Sequence, residues 1–192
     1  MNSRNSGRPD RGFSLTELVI VISVLSILTG FALPAFERLM ARSDTTAGIN
    51  RIIGAVNYTR YTAITYRSMA TLCPANLADA GCNGDWAGRL IVFLDHNANA
   101  KPDDRDEIIS VIQAAPGSGS LTWRAFQNKQ YLQFTQLGYT NFQNGNFTFC
   151  PQPGDIAYAR QIIINVQGRA RMNHRKDDEG YYLDTRNRRL RC

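Results

Sequence analysis

The run LVIVISVLSILTGFALPAF at Leu18–Phe36 contains nineteen residues and no charged side chain. As an α-helix it would be roughly 28 Å long, which is close to the hydrocarbon thickness of a lipid bilayer. Three arginines and one aspartate precede it within the first 12 residues. Because basic residues flank a membrane segment on its cytoplasmic side, we expect everything after Phe36 to be exported. The residues around the end of the run match a small-residue cleavage site poorly, so we expect the anchor to be retained.

Glu17 stands at the start of this run, where a carboxylate is costly in lipid unless it has a partner. The residues around it, RGFSLTEL at 11–18, resemble the type III signal of type IV pilins and pseudopilins. The resemblance implies that a prepilin peptidase cuts after Gly12, that the new terminal Phe13 is methylated, and that Glu17 neutralises the terminal amine during assembly. Pro34 stands where pilins commonly carry a helix-kinking proline. A plain signal anchor with an incidental glutamate is the alternative interpretation.

After Pro34 the pattern becomes amphipathic and predicts the carboxyl half of one long helix, ending before Cys73. The apolar stripe consists of Ile49, Ile52, Ile53, Val56, Ala63 and Ile64. From about residue 85 the chain is typical of short strands separated by turns. We expect strands at 89–95, 108–114, 121–126, 131–135, 147–150 and 161–166. The fold class is therefore α+β, with the long helix packed on a mostly antiparallel sheet in the type IV pilin fold.

The predicted organisation has four parts. They are a leader at 1–12, a transmembrane or filament-core helix at 13–36, an amphipathic helix half at 37–72, and a β-rich periplasmic head at 73–192 whose arginine-rich tail begins at 168. The resemblance to pilins implies a single-pass protein of the inner membrane that assembles with other pilins into a cell-surface pilus.

The head resembles the FimT/GspH group of minor pilins and pseudopilins. The residues that carry this resemblance are Cys73-Pro74, Cys82, Trp86-x-Gly88, Val92-Phe93-x-Asp95-x-Asn97-x-Asn99, Gly138, Cys150 and Gly168-Arg169-Ala170-Arg171. The resemblance implies one of two functions. FimT-type minor pilins bind DNA during natural transformation, whereas GspH-type pseudopilins are structural subunits of type II secretion.

Four cysteines in an exported head predict disulfides, because the periplasm is oxidising. Three pairings are possible, and the sequence does not choose among them. We favour Cys73 with Cys82 and Cys150 with Cys192. A zinc site is the competing hypothesis, but the sequence has no C-x-x-C and two histidines in all.

The loop Asp95–Asn99 has oxygen-bearing side chains at alternating positions, as calcium loops do. The pattern fails further along, since an EF-hand needs Gly where Ala100 stands and Glu where Asp106 stands. A turn between two strands is the preferred interpretation. No motif for nucleophilic, metal or phosphate-transfer chemistry is present, so we expect a non-enzyme without a cofactor.

The formal net charge of +6 is unevenly distributed. The leader contributes +2, residues 13–168 hold eleven basic and eleven acidic side chains, and residues 169–192 hold eight basic and four acidic ones. The basic residues of the last segment are Arg169, Arg171, Arg175, Lys176, Arg186, Arg188, Arg189 and Arg191. Seven of these eight are arginine, whose planar fork pairs bidentately with phosphate.

Gly168–Arg171 resembles the GRxR motif with which FimT-like pilins bind DNA, which implies a role for Gly168, Arg169 and Arg171. On an extended segment the two arginines point to the same side, and Gly168 permits close backbone approach. We infer from charge that the other six basic residues of this segment also contribute to DNA binding. The prediction is a minor pilin that binds the DNA backbone without sequence preference. The alternatives are a structural pseudopilin, or a tail that contacts anionic lipid or an acidic protein.

Overall fold

The computed structural model describes residues 12, 14–76, 81–114, 119–152 and 154–192. It divides into two compact units, residues 1–40 and 41–192. One helix, α1, extends over Leu15–Tyr66. Ser14 caps its amino end, since the Ser14 Oγ accepts a hydrogen bond from the Glu17 N–H at 3.2 Å. Of the two residues at the expected processing site, Gly12 is exposed and Phe13 lies outside the described residues.

In the first unit, the described side chains of α1 are exposed and mostly apolar. By length and composition, α1 is the one helix of the described chain that is able to cross a membrane. The hydroxyls of Ser23, Ser26 and Thr29 each donate to the carbonyl four residues earlier, at 2.7–2.9 Å. These polar groups are therefore satisfied within the helix, as an apolar environment requires. Pro34 lies inside α1.

The helix ends at Tyr66, six residues before the predicted boundary at 72. Arg67 adopts a left-handed conformation with φ of 51°, and the N–H of Ser68 donates to the carbonyl of Ala63 at 3.3 Å. This 6→1 hydrogen bond is the Schellman arrangement that terminates helices. Residues 70–72, predicted as the end of the helix, instead belong to a strand, Ala70–Pro74.

Eight strands follow α1 in the described chain. They are β1 Ala70–Pro74, β2 Leu90–Leu94, β3 Glu107–Ile112, β4 Ser120–Ala125, β5 Leu132–Phe134, β6 Gly145–Cys150, β7 Arg160–Ile164 and β8 Ala170–Met172, with a short 3-10 helix at Phe126–Asn128. They form two antiparallel four-stranded sheets, in the orders β3-β2-β1-β5 and β4-β6-β7-β8. The predicted α+β fold, a helix packed on antiparallel sheet structure, is confirmed.

The core lies where the second half of α1 packs against both sheets. Ile49, Ile52 and Val56 of the predicted stripe are fully buried, whereas Ile64 is 45 % exposed. Gly48 lets the helix approach the second sheet closely, because a Cβ at this position would overlap the ring of Phe149. This packing positions the outer face of the second sheet, opposite the helix, where the candidate site is found.

Candidate nucleic-acid interface

Arg169 and Arg171 lie at β8, the edge strand of the second sheet. Ala170 and Met172 pack against the core. Because side chains alternate along a strand, Arg171 of β8 points to the opposite, outer face, and both Arg171 and Arg169, the residue just before β8, are exposed. The common direction of the two arginines stays a prediction, because Arg169 lies outside β8.

Gly168 holds the turn before β8 in place. Its φ is +74°, a conformation that favours glycine, and a Cβ there would lie 2.5 Å from the carbonyl oxygen of Gly138. Arg60 reaches the same oxygen with its Nε at 2.9 Å. Gly168 is buried, so the close approach that it permits is to the protein's own backbone. Glycine is therefore needed here for the turn that carries Arg169.

The rest of the arginine-rich segment folds into two short hairpins at residues 176–182 and 183–189, each closed by an isolated β-bridge. Asp177 organises the first turn and Asp184 the second. One oxygen of each carboxylate accepts two backbone N–H groups of its own turn, at 2.8–3.1 Å. Such aspartate turns favour tight backbone geometry, and they give the segment a defined structure.

Three contacts tie these hairpins to the second sheet. Leu190 is 4 % exposed and packs against Cys150. The amide of Asn173, just after β8, donates to the carbonyl of Leu183 at 2.8 Å. Cys150 of β6 forms a disulfide with Cys192. The other expected disulfide, between Cys73 and Cys82, is also present, and the described chain has no free cysteine.

Two of the arginines are paired with carboxylates. Arg188 contacts Asp184 at 2.9 Å, and Arg189 contacts Asp177 at 2.6 Å and Glu179 at 2.8 Å. Desolvation opposes ionisation of Asp177, yet backbone hydrogen bonds and Arg189 hold the pKa of this carboxyl below its ordinary value. The same combination, with Arg188, lowers the pKa of Asp184. The ion pairs of Arg188 and Arg189 therefore stabilise the hairpins.

A polar cleft of about 480 Å³, here called the outer cleft, lies between the outer face of the second sheet and residues 184–191. Its sheet wall carries amide and hydroxyl groups from Thr148 and Gln161, and its lining includes one carboxylate, Asp184. Five arginines line it: Arg124, Arg186, Arg188, Arg189 and Arg191. Since arginine stays charged, the described lining has an excess of four positive charges.

Arg124 and Arg171 belong to one row across the second sheet. The directly opposed residues are Arg124, Asn146, Ile163 and Arg171, on β4, β6, β7 and β8. Opposed residues of antiparallel strands share a face. Three strand spacings separate the two arginines, about 14 Å at the backbone. The outer cleft and the arginines of β8 are thus parts of one surface.

Lys176 and Arg175 lie differently. Lys176 lines a second pocket, where its Nζ lies 4.7 Å from the ring centre of Tyr182. This inner pocket is defined by Arg42, Tyr158, Arg160, Lys176 and Tyr182. Arg175 is exposed, and its N–H donates to the Asn173 side-chain oxygen at 3.3 Å. The structure therefore does not bring all the predicted cations to one site.

Arg124 is a residue of the outer cleft that was not among the predicted site residues. The alternation of β4 is visible in the sequence, because Leu121 and Trp123 are apolar and Arg124 follows on the other face. That alternation predicts an exposed arginine. Its neighbours, however, depend on which strands pair, and the sequence carried no signal for that pairing.

The loop after β2 forms the predicted turn. Asp95 is 1 % exposed, and its two oxygens accept hydrogen bonds from the side chains of Thr71 and Gln133 and from the N–H groups of Asn99 and Ala100, at 2.6–3.0 Å. These hydrogen bonds engage both carboxylate oxygens of Asp95. Over the part of the chain that the structure describes, no group of three acidic, histidine or cysteine side chains is able to hold a metal ion.

Two families match this chain. Residues 7–33 match the prokaryotic N-terminal methylation motif, and residues 48–168, more than half of the chain, match the type II transport protein GspH family. The chain is a type IV minor pilin or pseudopilin of the GspH/FimT group. The GspH match ends at Gly168, so residues 169–192 lie beyond it.

Individual relatives agree with this placement. The pilin is 42 % identical over 158 residues to the type IV major fimbrial protein FimA of Dichelobacter nodosus, covering 73 % of this chain and 89 % of the relative. It is 34 % identical over 86 residues to the fimbrial protein EcpC of Eikenella corrodens, covering 43 % and 54 %. The crystal structure of the type IV minor pilin FimU of Pseudomonas aeruginosa shares the fold, with a TM-score of 0.51, 16 % identity and coverage of 71 % and 90 %.

Membership of a pilin family implies a structural protein that interacts with other pilins in a filament. The apolar helix and the methylation motif together indicate membrane anchoring and pilus assembly.

Proposed function

We propose that this minor pilin binds DNA through its phosphate backbone, without sequence preference, and so supports DNA uptake in natural transformation as well as pilus assembly. The proposed site is the outer arginine surface, defined as Arg124, Arg169, Arg171, Arg186 and Arg191. The observation that carries the proposal is that these five arginines are exposed on one side of the second sheet and, among the described residues, none of them has a carboxylate partner.

The chemistry of this surface suits a polyanion. Arginine pairs bidentately with phosphate oxygens, and the amide and hydroxyl groups of the outer cleft suit phosphate and sugar contacts, which position a protein on DNA without reading its sequence. Arg188 and Arg189 support the hairpins through their ion pairs, and Gly168 supports the turn. Arg175 is exposed but does not line the outer cleft, and Lys176 belongs to the inner pocket.

Arg124 offers a test that the sequence alone would not have suggested. Because one phosphate contact changes the affinity by roughly tenfold at about 50 mM salt, Arg124→Gln is expected to raise the Kd for a fluorescent DNA duplex roughly tenfold. The measurement is fluorescence anisotropy with the full chain in a nonionic detergent. Arg105→Gln, which removes an exposed arginine of the β2–β3 loop, is the matched control and should bind like the unmodified protein. Equal DNA affinity of the Arg124 variant and the control would show that the outer cleft is not part of the DNA-binding site.

We also propose that the amino terminus follows the pilin pathway. Prepilin peptidase would cleave after Gly12 and leave Phe13 for methylation, with Glu17 neutralising the terminal amine and Pro34 bending the helix. The head would then lie in the periplasm while α1 is anchored in the inner membrane. The methylation-motif match at residues 7–33 supports this proposal.

A structural pseudopilin of a type II secretion system is the second candidate, favoured by the GspH match over residues 48–168. It requires the anchor and Glu17, but not the arginines beyond residue 168. A chain with the whole outer arginine surface changed to Gln separates the two functions in cells. If the pilin binds DNA for uptake, this variant supports pilus assembly but not DNA uptake. If the protein is a structural pseudopilin, the variant supports secretion as well as the unmodified chain does.

A further inference from the structure

The inner pocket is a cationic cavity of about 450 Å³ that shares no described lining residue with the outer cleft. It lies between the carboxyl half of α1 and residues 157–182, entirely within the second unit. The Thr45 hydroxyl, which contacts the carbonyl of Tyr158 at 3.2 Å, fixes one wall to the other. Ile49 and Met172 supply apolar lining.

Three cations surround this cavity, and no carboxylate is among its described lining residues. The Arg160 guanidinium lies 3.9 Å from the ring centre of Tyr182, and its Nη1 donates only to backbone carbonyls, to that of Ala159 at 2.8 Å. Desolvation lowers the pKa of Arg160. Arg42 lies 5.8 Å from the ring centre of Tyr158. Aromatic faces and carbonyls contact these three like charges, none of which has a carboxylate partner among the residues that the structure describes, and an anion would satisfy them.

The shape of the lining suits an amphipathic anion. The cations, with the polar side chains of Thr46 and Asn50, suit a phosphate group, while Ile49 and Met172 suit an apolar segment next to it. A free phosphate ion would use the polar part of the pocket alone. A phospholipid would use both parts.

The position of Arg42 in the chain favours a lipid. Arg42 follows Phe36, the last residue of the uncharged run, by six positions. Six residues span at most about 20 Å, so the chain itself keeps the backbone of Arg42 within that distance of Phe36. Anionic lipids attract cations at the membrane surface, and tyrosines are enriched there.

We propose that the inner pocket binds the phosphate group of an anionic phospholipid at the membrane surface, through Arg42, Arg160 and Lys176. This site is separate from the outer arginine surface and does not depend on DNA binding. It gives the membrane-anchored pilin a second contact with the bilayer.

The test is a lipid titration of the full chain in a nonionic detergent, followed by native mass spectrometry. Dioleoyl phosphatidylglycerol is the anionic probe and dioleoyl phosphatidylcholine the zwitterionic one. We expect the unmodified protein to prefer phosphatidylglycerol, and Arg42→Gln with Lys176→Gln to weaken that binding roughly thirtyfold. Both side chains are exposed, so the core should be unaffected, which a circular dichroism melt checks. Lys101→Gln with Arg105→Gln removes the same charge from the β2–β3 loop and should retain the preference.

Three outcomes would overturn the proposal. The first is equal phosphatidylglycerol binding by the pocket variant and the loop control. The second is binding of water-soluble glycerol 3-phosphate as tightly as the lipid, which would assign the pocket to free phosphate. The third is loss of DNA affinity with unchanged lipid affinity in the pocket variant, which would assign the pocket to DNA. Failure of DNA binding by the unmodified protein would leave the lipid result unaffected.

Discussion

Replacing Arg169 and Arg171 together by Gln is expected to weaken DNA binding roughly a hundredfold at about 50 mM salt. Both side chains are exposed on the outer face beside β8, and neither has a carboxylate partner among the described residues. Each phosphate contact releases about one counterion, so the slope of log K against log salt should become shallower by roughly two. Fluorescence anisotropy with the full chain measures both quantities.

The loop variant with Lys101→Gln and Arg105→Gln is the control, because it changes the net charge equally at another exposed site. It should bind DNA nearly as well as the unmodified chain, and the loss should be the same for duplexes of any sequence. If the loop variant lost as much affinity as the β8 variant, overall charge and not a defined surface would explain binding.

Changing both Cys150 and Cys192 to Ser is expected to lower the free energy of unfolding by about 4 kcal/mol, following the chain-entropy estimate for a long loop. The bond joins residues separated by 42 positions. Cys73 and Cys82 are separated by 9, so their replacement by Ser should cost less, about 2.6 kcal/mol. Urea denaturation in nonionic detergent, followed by fluorescence of the buried Trp86 and Trp123, measures the difference.

The two disulfide variants should also differ in DNA binding. Cys192 holds the segment of residues 184–191 that forms one wall of the outer cleft. Its release should weaken DNA binding under conditions in which the core is still folded. The Cys73 and Cys82 variant should bind normally, because this bond lies at β1 of the other sheet. The opposite ranking, in stability or in binding, would contradict this role of the second disulfide.

The helix stripe was accessible from the sequence for a local reason. Ile49, Ile52 and Val56 have helical spacing and are buried as a face. The end of the helix was not accessible, because Arg67 adopts a left-handed conformation that the sequence usually signals with glycine. All five residues of β1 are buried, so the segment has no alternation that would distinguish it from a helix.

The candidate site was predictable as a segment but not as a surface. Charge counting located the arginine excess beyond residue 168. It did not distinguish Arg189, which is ion-paired to Asp177, from Arg186, for which no ion pair is found among the described residues. The charge count also gave no reason to include Arg124, which belongs to the site because β4 pairs with β6. Pairing partners distant in sequence are fixed by the fold and not by local pattern.

DNA binding by the unmodified full chain over a salt series tests the central claim most directly. Four to six neutralised phosphates predict a slope of log K against log salt on the order of −4 to −5. Such a slope, with equal affinity for unrelated sequences, would support an arginine surface that reads the phosphate backbone. A slope near zero, or no saturable binding at about 50 mM salt, would contradict the account.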